Sequence, residues 1–364
     1  MLSTAAALVR VVLGIFDASR QKTPRNFRDH WPPVGDPIVA VLAILVVLAG
    51  LVSLTASVAQ HESLQSFRQI IVEPVVFFAL IVTQASGRRD AQVLMLALIV
   101  AGAAISLIGV SQYITGDRII TAEAGLRRIR AFYGSPNNLA LFLGRSLPVA
   151  AAGALWWSSG RVLWILAACL NAIALVMTFS VGGWVAVSVS VLVIAYLHGP
   201  RVFRYALAAL AVGGIGSLVL ALAIPRLGSH FDLRSGTNSI RIFVWQSALR
   251  MIADHPIRGI GLDNFLTYYL NGYRFPEAWA EPSLSHPHNL VLDFWLSLGL
   301  VGPVLLGCLI VRLAELIHGE WLRADAVERG LYAGVAGAMT DTIVHGLVDN
   351  SFFLPDLAVL FWLM

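Results

Sequence analysis

The sequence predicts an all-α, polytopic integral membrane protein of about nine to ten transmembrane helices, with one large external loop bearing amphipathic helices. Composition is the first reason. Apolar residues make up 58% of the 364 and charged residues 13%, against roughly 45–50% and about 25% in soluble domains. The second is that several windows approach the roughly 20 apolar residues that span a bilayer core. The third is that arginines, acids, histidines and aromatics gather between Pro225 and His288, in a chain otherwise built for lipid.

Met1–Phe16 is apolar, but Arg10 interrupts it and no small-residue cleavage site follows. It therefore reads as an interfacial helix or the remnant of a longer span, not as a signal peptide. The division expected is an N-terminal cytoplasmic or interfacial segment over 1–37, a helical core over 38–224, an external loop over 225–288 and C-terminal spans over 289–364. The spans are Ile38–Val58, Ala91–Ile114, Asn138–Trp157, Val162–Thr178, Gly183–Leu197, Phe203–Ile224, Leu290–Val311 and Gly330–Leu347. Ile70–Ala85 is weaker, yet the topology needs it to close. Phe352–Met364 stays apolar to its last residue, the pattern of a fragment or boundary variant ending inside a helix. Cys169 and Cys308 fall in separate spans and offer neither a disulfide nor a metal framework.

Short basic loops set the orientation. Arg20, Lys22, Arg25 and Arg28 precede the first span, and the same side then collects Arg88–Arg89, Arg161, Arg201–Arg204, Arg312, Arg323 and Arg329. That side is assigned to the cytoplasm, in the inner membrane of the cell. Gln60–Gln69, Thr115–Pro136 and Pro225–His288 lie outside. The net charge of +4 follows from this topology; with no basic stripe, nucleic acid is not an expected partner.

In the large loop, Asn238 or Ser239 can cap a helix starting near Ile240, with Trp245, Ala248, Leu249 and Ile252 as its apolar stripe. Arg241 falls on the same face, where a solvated or snorkelling arginine is the alternative to a functional one. His255-Pro256 ends that helix. Gly259-Ile260-Gly261 turns the chain, and Asp263 or Asn264 can cap a second short helix through Leu270. The loop then reaches His286, His288 and Asn289. Asn289 reads as an N-cap, which sets His288 beside a helix N-terminus that favours anions and a neutral imidazole.

Asp293 is an acid in the first turn of an apolar helix, placed to orient His288 or to accept from a sugar hydroxyl. Arg145 lies two turns inside another span and must pair or line a polar cavity, with Glu73 a plausible partner. Guanidinium groups bind phosphate oxygens bidentately and stay charged. A neutral histidine can take the proton of an attacking hydroxyl. A lipid diphosphate donor fits both. No metal-ligand spacing appears in the loops and no Walker A motif in the chain, so the expected chemistry uses no cofactor.

Several motifs then share one order: Gly134-Ser135-Pro136-Asn137 opening a span, Thr178-Phe179-Ser180-Val181-Gly182-Gly183-Trp184 at a hairpin, and Arg241-Ile242-Phe243-Val244-Trp245 ahead of His255-Pro256-Ile257-Arg258-Gly259-Ile260-Gly261. His288-Asn289-Leu290-Val291-Leu292-Asp293 precedes Gly299-Leu300-Val301-Gly302, and His345-Gly346-Leu347-Val348-Asp349-Asn350 lies near the end. From Ile38 onward the chain resembles the O-antigen ligase and O-antigen polymerase (Wzy) superfamily of membrane glycosyltransferases. The resemblance implies a GT-C-like fold and glycan transfer from an undecaprenyl-diphosphate carrier to an acceptor glycan or lipid A–core, outside the cytoplasmic membrane. The family's histidine carries over to His288 and one of its arginines to Arg241; with Asp293 these are the expected catalytic residues, and Arg145, Arg130, Asn137, Arg258, Asn289 and His286 are the expected contacts to diphosphate or glycan. Val181 stands where the family commonly has arginine, which leaves that phosphate contact to Arg145 or to one of Arg127–Arg130. A transporter or flippase, and a silent relative that only binds polyprenyl glycans, are the competing readings.

Overall fold

The computed structural model describes residues 36–85, 87–117, 119–121, 125, 127–223, 236–278 and 284–364; the expected N-terminal interfacial helix and the start of the large loop lie outside them. α1 (Pro37–Leu54) starts at Asp36, whose carboxylate accepts from the Ile38 and Val39 amides. α2 (Gln60–Gln84) runs through a π-helical turn at Phe67–Val72. α3 (Arg88–Thr115) leads to a two-rung antiparallel ladder of β1 (Ile120–Thr121) and β2 (Arg127–Arg128). Then come α4 (Pro136–Trp156), α5 (Arg161–Met177), α6 (Val181–His198) and α7 (Pro200–Ala223). α8 (Gly236–Asp254) and α9 (Phe265–Tyr268) belong to the large loop, followed by α10 (Leu290–Leu298), α11 (Val301–Trp321), α12 (Ala326–Gly346) and α13 (Pro355–Leu363).

The protein is all-α and polytopic. Among the described residues, α1, α2, α3, α4, α6, α7 and α11 are long and apolar enough to cross a membrane. The other expected spans exist as helices but depart from that standard. α5 has 17 residues and α13 has nine. α12 carries Asp341 and His345, and it is the central helix, packed between α4 and α6. Its polar side chains are tolerated because protein surrounds them.

Arg145 illustrates this. Its side chain is 1% exposed and faces Asp341, 0% exposed, with Nη1 to Oδ2 at 3.5 Å. Gly144 lets α12 approach, since a Cβ there would lie within 2.4 Å of the Asp341 carboxylate. Nη1 also donates to the Leu141 carbonyl, and Nη2 to the Ser351 carbonyl at 2.6 Å. Glu73 is not the partner expected for it. The π turn, with its i to i+5 spacing, brings Glu73 round to Arg68 on the exposed surface at 3.4 Å.

The expected span Leu290–Val311 is two helices. α10, nine residues long, covers about 14 Å, too short to cross a bilayer core. The chain breaks at Gly299, with φ of 73°. The turn His255–Gly261 packs into that break: Ile260 and Gly261 donate to the Leu296 carbonyl at 2.8 and 3.2 Å, and Leu300 donates to the Ile257 carbonyl at 3.1 Å. A Cβ on Gly299 would sit 2.1 Å from the Ile257 oxygen. Gly299→Ala is therefore expected to destabilise the protein by about 1–3 kcal/mol. The midpoint of thermal unfolding in detergent checks this, and an unchanged midpoint refutes it.

α8 begins at Gly236, earlier than expected, and the side chains of the two candidate caps lie outside the described ones. Its buried face is Val244, Ala248, Met251 and Ile252, while Leu249 is 54% exposed. The predicted stripe is thus rotated about one residue. The cause is docking against Phe265, Tyr269 and Leu296 from one side. Asn264 precedes α9 but makes no side-chain cap. Its buried amide instead accepts from the Ala59 amide at 2.9 Å and donates to the Ser57 and Ser63 hydroxyls at 2.7 and 2.9 Å. This ties the loop to the α1–α2 connection.

Candidate active site

The segment leading into α10 carries the polar cluster. Asn289 caps α10 as expected, accepting from the Val291 and Leu292 amides at 3.1 Å each. Its Nδ2 donates to the Leu347 carbonyl at 2.9 Å, joining the start of α10 to the end of α12. His288 has φ of 50°, an uncommon conformation for a non-glycine residue. Its carbonyl accepts from Trp245 Nε1 at 3.4 Å. The turned backbone points the ring away from the first turn of α10 and toward the loop between α12 and α13.

There the partner is Asp349. His288 Nδ1 lies 2.8 Å from Asp349 Oδ1, and Arg241 Nη2 lies 3.3 Å from Oδ2. The Asn350 amide donates to Oδ1 as well, at 2.8 Å. Burial opposes ionisation of Asp349, but the hydrogen bond and charge of His288 and the charge of Arg241 hold its carboxyl well below the usual carboxylate range. An ionised carboxylate only accepts, so Nδ1 carries the shared hydrogen. When the imidazole is neutral, Nε2 is then the nitrogen with a lone pair for a proton. His288 and Arg241 are 26% and 21% exposed, so both are reachable from outside.

Asp293 does not orient His288. Its Oδ2 lies 3.2 Å from His286 Nδ1, and its Oδ1 accepts from the Ser297 hydroxyl at 3.4 Å. The left-handed backbone of His288 separates the two imidazoles, one to each carboxylate. Burial disfavours the charged form of His286, but Asp293 and then Asp263 outweigh it and raise the imidazole above its ordinary range. Burial likewise raises Asp263, which accepts from the Ser66 hydroxyl at 3.1 Å.

The remaining expected contacts divide. Asn137, in the first turn of α4, accepts from Arg128 Nη2 at 2.8 Å. Arg128 also donates through Nε to the Thr178 carbonyl at 2.7 Å, beside the hairpin that leads to Val181. Arg130 donates to the Gly134 carbonyl at 3.4 Å. Arg145 is enclosed, and it is joined to the cluster through the backbone of Ser351 in the Asp349 loop. Arg258 is exposed on the turn against Gly299, with no side-chain contact to the cluster among the described residues. Asp349 was absent from the expected set, and Arg128 entered it only as one of Arg127–Arg130. Asp349 carried the same signal as Asp293, an acid at the end of an apolar helix. Arg128 had none to separate it from Arg127 and Arg130.

Residues 165–307 match the family model described as O-Antigen ligase. Over that segment the chain is similar to O-antigen ligases. The segment runs from α5 into α11 and contains Arg241, His286, His288 and Asp293. Asp349, Arg128 and Asn137 lie outside the matched segment and are brought to it by folding. A curated polysaccharide ligase homologue from Rickettsia felis is 28% identical over 154 residues, covering 41% of this chain. The match spans 36% of that protein's length.

Proposed function

We propose that the protein is an integral-membrane glycosyltransferase of the O-antigen ligase/polymerase type, acting in cell-envelope polysaccharide assembly. It moves a glycan from an undecaprenyl-diphosphate carrier to an acceptor glycan or lipid A–core. The site faces the periplasmic side of the inner membrane. The observation that carries this reading is the triad of His288, Asp349 and Arg241 at the head of a short helix, within reach of the surface. The O-antigen ligase match supports the reaction class.

In the step proposed, His288 Nε2 takes the proton from an acceptor hydroxyl as that oxygen bonds to the anomeric carbon. The bond from that carbon to the carrier phosphate breaks, and the polyprenyl diphosphate leaves with the electron pair. Asp349 holds the imidazole by Nδ1 and stabilises the imidazolium that forms. Arg241 offsets charge developing on the leaving diphosphate. His286 and Asp293, a second imidazole–carboxylate pair beside the first, are assigned to glycan hydroxyls.

Purified full-length protein in nanodiscs, given labelled carrier-linked glycan and acceptor, tests this. Wild type is expected to transfer, and His288→Ala to lose at least about 10²-fold in rate while still inserting. Normal transfer by that variant removes the assignment.

A further inference from the structure

In the sequence Trp245 belongs to the apolar stripe expected of α8. In the structure the buried face of that helix is Val244, Ala248, Met251 and Ile252, and Trp245 stands to one side of it, half-buried. Its indole N–H donates to the His288 carbonyl at 3.4 Å. Arg241, four residues earlier and so on the same side of the helix, reaches Asp349 Oδ2 at 3.3 Å. One turn of α8 thus touches both members of the His288–Asp349 pair, the histidine by its backbone and the acid by its side chain. The backbone contact falls where the chain is strained. His288 has φ of 50°, a region that side chains avoid because Cβ crowds a carbonyl oxygen. Pro287 before it has no N–H with which to hold the turn. Asn289 after it is committed to the α10 amides and the Leu347 carbonyl. The cost of a non-glycine residue at positive φ and the net gain from one hydrogen bond are of similar size. Losing the indole N–H is therefore enough to let the turn relax.

We propose that Trp245 is a positioning residue for His288: by fixing its carbonyl, the indole keeps the left-handed turn that brings the imidazole Nδ1 to Asp349. It touches no reacting atom and acts through the histidine. Because Arg241 and Trp245 share one turn, α8 must be docked for the base and its carboxylate to be assembled. Trp295 offers a comparison. Its indole, on α10, also donates to a backbone carbonyl, that of Pro256 at 2.8 Å, and it packs against the apolar cluster beneath α8. That bond holds the turn after α8 and not His288. The use of this pair as a base in glycan transfer rests on the glycosyltransferase reading; the positioning of the ring rests on geometry.

Nitrogen NMR of the full chain in nanodiscs, with isotope-labelled histidine, tests the positioning; the His288 resonances are those lost in His288→Ala. At a pH where the ring is neutral, wild type is expected to carry its hydrogen on Nδ1, toward Asp349. Trp245→Phe removes the N–H and keeps an aromatic ring. It should move the hydrogen to Nε2, the form an unheld imidazole side chain prefers. Trp295→Phe should keep the wild-type tautomer even if both variants unfold at lower temperature, which separates positioning from general loosening. In transfer assays Trp245→Phe should lower kcat by about 10-fold with KM nearly unchanged. The wild-type tautomer in Trp245→Phe, or the same shift in Trp295→Phe, overturns the proposal. A tautomer shift confined to Trp245→Phe, in a protein whose wild type transfers no glycan, leaves the positioning standing and removes the transferase. Transfer that needs His288 and is untouched by Trp245→Phe does the reverse.

Discussion

Asp349→Asn is expected to lower glycan transfer by about 10²- to 10⁴-fold with little change in folded yield. The substitution keeps the shape of the side chain. It removes the acceptor that obliges His288 to carry its hydrogen on Nδ1. An asparagine can present its NH₂ to that nitrogen instead, and the imidazole then carries its hydrogen on Nε2, where the acceptor proton has to go. It also leaves Arg241 without its carboxylate. Turnover of labelled carrier-linked glycan, with substrate binding measured separately, checks the claim. The rate should fall far more than the affinity. Wild-type turnover in Asp349→Asn would show that the His288–Asp349 contact is not used, whatever the reaction.

The second large effect concerns stability. Asp341→Ala should destabilise the protein by about 3–5 kcal/mol, because it leaves the Arg145 charge enclosed without its counter-ion. Arg145 is 1% exposed and cannot turn to water. The double replacement Arg145→Met with Asp341→Leu should recover much of the loss, since apolar groups of similar volume need no partner. Thermal unfolding of the detergent-solubilised protein measures both. A single variant as stable as wild type, or a double variant no better than the single, would rule out this account. The effect should reach the site as well, because Arg145 holds the Ser351 carbonyl two residues from Asp349.

Much of this molecule was legible from residue order. An apolar run with few charges has one low-energy arrangement in lipid, the helix, because it satisfies its own backbone hydrogen bonds. The positions of most helices followed from that. Asn289 as a cap also followed, since capping depends on residues a turn apart. The break at Gly299 did not. Hydropathy sees a continuous run from Leu290 to Val311, and the turn occurs because residues 257–261 arrive from elsewhere and hydrogen-bond into it.

For the site, local reading located the side chains and tertiary contact assigned their partners. His288, Arg241 and Asp293 stood out as polar groups where an apolar helix begins or where an apolar stripe should run. Which carboxylate meets which imidazole was open, because Asp293 and Asp349 carry the same local signal. The left-handed turn at His288 and the Asn289 bond to the Leu347 carbonyl decided it, by swinging one ring to the end of α12 and leaving the other on α10. The sequence by itself determined a helical membrane protein with its chemistry gathered ahead of one helix, through hydrophobicity and capping, which act over a few residues. Only the tertiary structure decided that Asp349 serves His288, that Asp341 rather than Glu73 serves Arg145, and that Arg128 binds Asn137 and the Thr178 carbonyl. Ion pairs form between groups that packing brings within a few ångströms, and distance along the chain carries no record of that.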